Sequence, residues 1–140
     1  MSRSISRELD REVRQRAGHR CEYCHLPQSC TTLRLWVDHI IATQHHGPTT
    51  SENLALCCRG CNRHKGPNVS GVDNVTGAIT PLFNPRTQNW EEHFRWHGVM
   101  LSGLTDVGRT TIDVLSINSP ERMDARTVLL ASGDFPQSFE

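Results

Sequence analysis

Apolar side chains recur every fourth residue near the start of the chain, where Leu9, Val13 and Ala17 stand among Arg and Glu residues. That spacing places the three side chains along one face of a helix and leaves the charged residues on the other. Gly18 is a residue type that commonly follows a helix end. The pattern therefore predicts an amphipathic helix over residues 6–18.

The middle of the chain carries shorter apolar runs. Residues 33–41 alternate and are rich in Leu, Trp, Val and Ile, which is typical of a strand. Residues 42–51 are polar and contain a Gly-Pro pair, which indicates a loop. A second apolar run at residues 53–56 predicts another strand, and residues 62–65 predict a short helix that the following Gly-Pro pair ends.

Turn-forming Gly and Pro residues divide the rest of the chain into short pieces. Residues 94–100 have the composition of a strand. Residues 105–115 begin with a capping Thr and carry apolar residues at helical spacing, and the Ser-Pro-Glu at 119–121 begins another helix. The elements together predict an α+β fold in a single domain, residues 1–140, with a mixed C-terminal extension over residues 80–140 that ends in helices.

The composition adds two constraints to this outline. A chain of 140 residues with 36% apolar residues has the size of one hydrophobic core, but only 6% are aromatic, so the core is thin and a metal ion or a disulfide would help to stabilise it. The formal net charge is zero, although residues 1–70 hold ten Lys or Arg against six Asp or Glu. Charge alone is therefore weak evidence for a nucleic-acid partner.

The N-terminal sequence lacks the basic and apolar segments of a signal peptide, and no later stretch is apolar enough to cross a bilayer. The sequence thus predicts a soluble protein of the reducing cytoplasm that has no membrane partner. In that compartment, clustered thiols are more often metal ligands than disulfides.

Four cysteines form two C-x2-C pairs separated by 33 residues: Cys21, Cys24, Cys58 and Cys61. Such pairs supply the soft thiolates that tetrahedral Zn²⁺ prefers. Because four thiolates leave no ligand position for water, the predicted zinc is structural and not catalytic. Two other cysteines are second choices as ligands, Cys57 in place of Cys58 and Cys30 in place of Cys24.

Four sequence segments in this order and spacing resemble the HNH endonuclease family: C-E-Y-C, V-D-H-I-I, E-N-L-A-L and C-R-G-C-N-R-H-K-G. The resemblance covers residues 20–66. After residue 80, the segments L-F-N-P-R and G-L-T-D-V-G-R resemble the tail attached to many small bacterial HNH proteins. The resemblance implies a ββα-metal core, in which two strands and a helix surround one divalent cation, stapled here by the four-cysteine zinc site.

The same resemblance implies a role for each of the residues that match the family pattern. His39 would be the general base that activates water, and Asp38 would be a ligand of the catalytic metal ion. Asn53 would steady the loop that holds the histidine. Asn62 stands where the last residue of the family pattern is often histidine, and it would be the second metal ligand.

The chemistry of these side chains agrees with that assignment. Hydrolysis of a phosphodiester needs a positioned water, a base with a near-neutral pKa and a cation that offsets the developing negative charge. The Asp38 carboxylate and the Asn62 carbonyl are hard oxygen ligands, which suit Mg²⁺ or Mn²⁺ better than softer ions. Adjacent residues of a regular strand point to opposite faces, so Asp38 and His39 share a site only if the strand ends or twists there.

Four further residues are candidates for contact with substrate. Lys65 lies three residues after Asn62, on the same face of the predicted helix, where it would meet a phosphate. His45 lies in the polar loop. For Arg59 and Arg63, phosphate contact and simple solvation are equally open.

The sequence as a whole predicts a metal-dependent endonuclease that hydrolyses DNA, by nicking or by cutting both strands, with RNA also open as a substrate. The preference for DNA comes from the family resemblance and not from charge. Two alternatives belong to other classes: a catalytically silent zinc module that only binds nucleic acid, and a redox or disulfide protein that uses the C-E-Y-C pair. The intact Asp38, His39 and Asn62 argue against the silent module.

Overall fold

The structure, a computed structural model, describes residues 4–135. Its first helix, α1, spans Arg7–Arg16 and begins where the Ser6 side chain accepts a hydrogen bond from the backbone N–H of Leu9 at 3.1 Å. Val13 on its inner face is fully buried. This agrees with the helix predicted over residues 6–18, because the capping serine and the apolar stripe are both local features.

Two strands and a helix form the centre of the molecule. Strand β1 (Trp36–His39) pairs antiparallel with β2 (Leu54–Cys57), so that Asp38 faces Ala55 and His39 faces Leu54 across the ladder. Helix α2 (Arg59–Lys65) follows after one residue and packs against β1. The predicted order of strand, loop, strand and helix is confirmed.

The bounds of these central elements differ from the predicted ones for identifiable reasons. Strand β1 begins three residues later than predicted, because the Gln28 side chain takes the backbone groups before it, accepting from Leu35 N at 2.9 Å and donating to Leu33 O at 3.0 Å. Helix α2 begins three residues earlier than predicted, because the Cys58 sulfur accepts from Cys61 N and caps the helix. Sulfur is not among the usual capping atoms.

The C-terminal half contains small hairpins and helices: β3 (Ser70–Val72), β4 (Ile79–Pro81), α3 (Trp90–His93), β5 (Phe94–His97), β6 (Met100–Gly103), α4 (Asp106–Val114) and α5 (Pro120–Ala131). Both predicted C-terminal helices are present as α4 and α5. The single strand predicted over residues 94–100 is wrong, because the chain turns after His97 and returns as β6. Among residues 4–135, the strands form three separate two-stranded antiparallel sheets.

The buried apolar side chains form one continuous cluster that joins both halves of the chain. Residues of α1, the cysteine pairs, β1 and β2 contact buried residues from the C-terminal half: Leu82, Phe83, Phe94, Leu101, Ile112, Leu115 and Ile117. The predicted α+β class is confirmed, and the four cysteines of the two C-x2-C pairs lie in one cluster. Within residues 4–135, no helix has the length and apolar character needed to cross a membrane.

Candidate metal centre and nuclease site

Four buried sulfur atoms meet beside the first turn of α2. The ligand atoms of Cys21, Cys24, Cys58 and Cys61 all lie within 4.8 Å of one another. The sulfurs of Cys24 and Cys58 are 3.6 Å apart, close to the roughly 3.8 Å separation that tetrahedral zinc with Zn–S bonds of about 2.3 Å requires. The four cysteines predicted as ligands lie together, and their geometry is compatible with a structural zinc ion.

Each C-x2-C pair is shaped by its own backbone. The N–H of Cys24 donates to the Cys21 sulfur, and the N–H of Cys61 donates to the Cys58 sulfur, both at 3.4 Å. These bonds turn both sulfurs of a pair to the same side, so each pair presents two ligands without help from distant residues. The second-choice cysteine Cys57 is buried outside this cluster.

The sequence gives no indication of one further side chain that contacts the cysteine cluster. Arg122 on α5 donates to the sulfurs of Cys61 and Cys58 at 3.1 and 3.7 Å, and to the carbonyl of Leu115 at 2.7 Å. A Cβ atom on Gly60 would come within 3.1 Å of the Arg122 guanidinium, so a glycine lets the two approach. Because Arg122 lies some sixty residues after the second pair, no spacing pattern links it to the cysteines.

The four thiols of the cluster do not share one direction of pKa shift. Burial raises the pKa of Cys21 and Cys61, whereas hydrogen bonds from neighbouring thiols lower the pKa of Cys24 and Cys58. Burial alone would lower the pKa of Arg122, but the adjacent thiolates outweigh it and the pKa rises. If all four cysteines were ionised, one guanidinium would not balance their charge, and a divalent ion bound between them would.

His39 lies at the last position of β1, where the chain enters a loop. Its side chain is only 4% exposed, and its Nε2 lies 2.9 Å from the hydroxyl of Thr49 in that loop. Asp38, the preceding residue, is half-buried. The strand thus ends where the sequence requires it to end if Asp38 and His39 are to share a site. Thr49 was not predicted, because a threonine in a polar loop has no distinguishing pattern.

The loop between β1 and β2 is closed by Asn53. Its side-chain oxygen accepts from Ile41 N at 3.0 Å, and its amide donates to the carbonyls of Ile41 and Pro48 at 3.0 and 2.9 Å. A Cβ atom on Gly47 would overlap the Ile41 carbonyl and press against the Asn53 amide, so only glycine fits there. The geometry is what a loop-steadying role for Asn53 requires.

Asn62 and Lys65 occupy different environments on α2. Asn62 is half-buried, one residue beyond Cys61 of the cysteine cluster. Lys65 is only 4% exposed, and its ammonium donates to the carbonyl of Ile40 at 2.9 Å. Burial lowers the pKa of Lys65, and the nearby Asp38 opposes that shift. This placement corrects the expectation of an exposed phosphate contact, because the ammonium instead joins α2 to the end of β1.

The remaining candidates for substrate contact all lie at the surface. His45 is exposed in the short helical turn Thr43–His45. Arg59 and Arg63 are exposed on α2, and the Arg59 guanidinium lies over the ring of Trp36, 5.2 Å from its centroid. Among residues 4–135, no third His, Cys, Asp or Glu joins Asp38 and His39 in a cluster of metal-ligating groups. A catalytic ion there would keep most of its ligand positions for water and substrate.

Two strands, a helix, a four-cysteine cluster and the residues Asp38, His39, Asn53 and Asn62 define a recognisable class of domain. Residues 21–68 match the family model described as HNH endonuclease, so this stretch is an HNH domain and the resemblance is confirmed. The match supports a nuclease-type function at the level of the family.

A relative with a curated name extends the likeness beyond this domain. Over 109 residues the chain is 26% identical to the Septu protein PtuB of Bacillus thuringiensis, and the match covers 76% of this chain and 40% of that protein. The chain therefore spans less than half the length of this relative. No solved structure matches the chain.

Proposed function

We propose that this chain is a metal-dependent endonuclease that hydrolyses phosphodiester bonds in DNA through the HNH domain. The observation that carries the proposal is the closure of the loop after β1 by Asn53, next to the contact between His39 and Thr49. A buried amide with three backbone hydrogen bonds holds this loop in one conformation, which is the preorganisation that a catalytic base needs.

In this proposal His39 accepts the proton of the attacking water, and the closed loop keeps its ring in position. The oxygens of Asp38 and Asn62 hold one divalent cation, Mg²⁺ or Mn²⁺, because both are hard donors on elements that pack together. When bound, the cation offsets the negative charge that develops on the scissile phosphate. Lys65 acts indirectly, by joining α2 to the strand end that carries the base.

Zinc has a separate role in the proposal. Bound by the four buried cysteines, it holds α2 against the turn after α1 and takes no part in the reaction. His45, Arg59 and Arg63 contact the substrate from the exposed surface around the site. The proposal also includes a cytoplasmic location, where the thiols remain reduced.

The test is cleavage of supercoiled plasmid with added Mg²⁺, Mn²⁺ or Ni²⁺, comparing wild type with His39→Ala. Removal of a positioned general base costs about two to four orders of magnitude in rate, so His39→Ala should lose cleavage to that extent. The matched control is His97→Ala, since His97 is exposed on β5 and should be dispensable. Linear duplex, single strands and RNA in parallel reactions define the substrate range.

Two results would contradict the proposal. Wild-type protein that holds zinc and binds DNA without cutting it under any of the three metals is a silent binding module. Cleavage by His39→Ala at a rate close to that of wild type would place the base elsewhere.

A further inference from the structure

Trp36 is a large apolar side chain in an exposed position of the central strand. It stands two residues before Asp38 on β1, so the two side chains lie on the same face of the strand. Trp36 is 40% exposed, whereas Val37 between them is buried. The other two tryptophans, Trp90 and Trp96, pack against each other and against Phe94 or Phe135.

Arg59 on the neighbouring helix also shares a face with a candidate metal ligand. It stands three residues before Asn62 on α2, so these two side chains lie on one helix face. Its guanidinium is 5.2 Å from the centroid of the Trp36 ring. Trp36 and Arg59 therefore contact each other on the same faces of β1 and α2 as Asp38 and Asn62, two residues earlier on the strand and three residues earlier on the helix.

The charges around this pair favour an anionic partner. A groove between α1 and β1 runs past it and is lined by the guanidinium groups of Arg14, Arg34 and Arg59 and by one carboxylate, Asp10. Asp10 contacts Arg14 at 2.7 Å and Arg34 at 3.7 Å. Within residues 4–135, no carboxylate lies within ion-pair distance of Arg59. The groove thus keeps a positive excess at its Trp36 end.

We propose that Trp36 and Arg59 form a binding subsite for the DNA strand next to the scissile phosphate. The indole stacks on an unpaired base or against a sugar, and the Arg59 guanidinium contacts the adjacent phosphate. An apolar ring beside a cation matches a nucleotide, whose base is apolar on its faces and whose phosphate is charged. This subsite rests on the proposed nuclease function and adds a residue, Trp36, that positions substrate without taking part in the proton transfer.

Binding is measured separately from cleavage by placing all variants in the full-length His39→Ala protein. The probes are a short fluorescent single-stranded oligonucleotide and the duplex of the same sequence. Trp36→Ala should weaken single-strand binding by about 5- to 100-fold, the range that loss of one stacked base produces. Trp36→Phe should keep most of the affinity, because it retains an aromatic face.

Arg59→Ala should reduce the slope of log affinity against log salt by about one, the effect of one lost phosphate contact, and Arg59→Lys should restore the slope. The matched control is Arg95→Ala, because Arg95 is exposed on β5, away from this groove. Zinc content and thermal unfolding of each variant show whether it is folded. As a second measurement, the oligonucleotide should quench the tryptophan fluorescence of the His39→Ala protein, and adding Trp36→Phe should abolish that quenching.

Unchanged affinity in a folded Trp36→Ala protein, or quenching that persists in Trp36→Phe, would overturn the subsite. Its failure is distinguishable from failure of the nuclease proposal. Wild-type protein that cleaves plasmid while the variants bind normally removes only the subsite. If the wild-type protein cuts no DNA but the oligonucleotide still quenches Trp36, the subsite is supported and only the proposed hydrolysis is contradicted.

Discussion

The two sides of α2 contain groups of opposite chemical character. On one side four cysteines are buried, and the sulfurs of two of them meet a guanidinium. On the other side the half-buried oxygen donors Asp38 and Asn62 lie near an exposed surface with arginine side chains. A closed set of soft ligands suits a structural ion, whereas a few hard ligands with open positions suit an ion that must bind substrate.

One short helix serves both sides. Cys58 and Cys61 belong to the first turns of α2, and Asn62 is the next residue, about 100° around the helix axis. A seven-residue helix has little stability of its own, so its orientation depends on what holds its ends. The cysteine cluster holds the first end, and Lys65 joins the last end to Ile40, the residue that follows β1. The cysteine cluster therefore helps to set the orientation of α2 and, with it, the position of the Asn62 side chain.

The largest effect is expected when one cysteine of the cluster is replaced. Cys58→Ser should lose zinc and fail to fold, because a structural zinc contributes about 10 to 16 kcal/mol in small domains and a whole domain has only about 5 to 15 kcal/mol of stability. Metal analysis and circular dichroism check this. The matched control is Cys30→Ser, whose thiol lies outside the cluster and should leave zinc and fold intact. A folded, zinc-free Cys58→Ser protein would show that the cluster is not a staple.

A smaller effect is expected from chelation, which distinguishes the ion held by oxygens from the zinc held by cysteines without any mutation. Mild chelation should stop DNA cleavage while zinc content and the unfolding temperature stay unchanged, because an ion held by few oxygens exchanges far faster than one held by four thiolates. Plasmid cleavage, metal analysis and thermal unfolding are measured on the same sample. Added Mg²⁺ or Mn²⁺ should restore cleavage. Cleavage that continues without any exchangeable divalent ion would contradict the assignment of Asp38 and Asn62.

The smallest expected effect is a change in zinc affinity when Arg122 is replaced. Arg122→Gln removes the charge that faces the Cys61 and Cys58 sulfurs, and loss of an outer-shell partner typically weakens metal binding about 10- to 100-fold. Competition for zinc with a chromogenic chelator measures this. Arg122→Lys should recover part of the affinity, and Asp124→Asn, an exposed change on the same helix, should have no effect. Equal zinc affinity in Arg122→Gln and wild type would show that Arg122 does not strengthen zinc binding and only joins α5 to the core.

The sequence by itself determined the parts of this protein that depend on local spacing. A C-x2-C pair turns its two sulfurs to one side through its own backbone bonds, so the shape of each pair follows from local spacing. The apolar stripe of α1, the threonine cap of α4 and the Ser-Pro start of α5 are local in the same way. The order of the HNH segments likewise fixes the succession of β1, loop, β2 and α2, because neighbouring segments pair with each other.

Only the tertiary structure decided which distant residues meet and which charges become buried. Arg122 reaches the zinc cluster, Thr49 reaches His39, and Arg59 covers Trp36 through packing that no spacing pattern records. The sequence places Lys65 three residues after Asn62, yet its ammonium is buried and donates to the carbonyl of Ile40, the residue after β1. The physical reason is that contacts across the core depend on how whole elements pack, whereas local hydrogen bonds and periodicity need only a few consecutive residues.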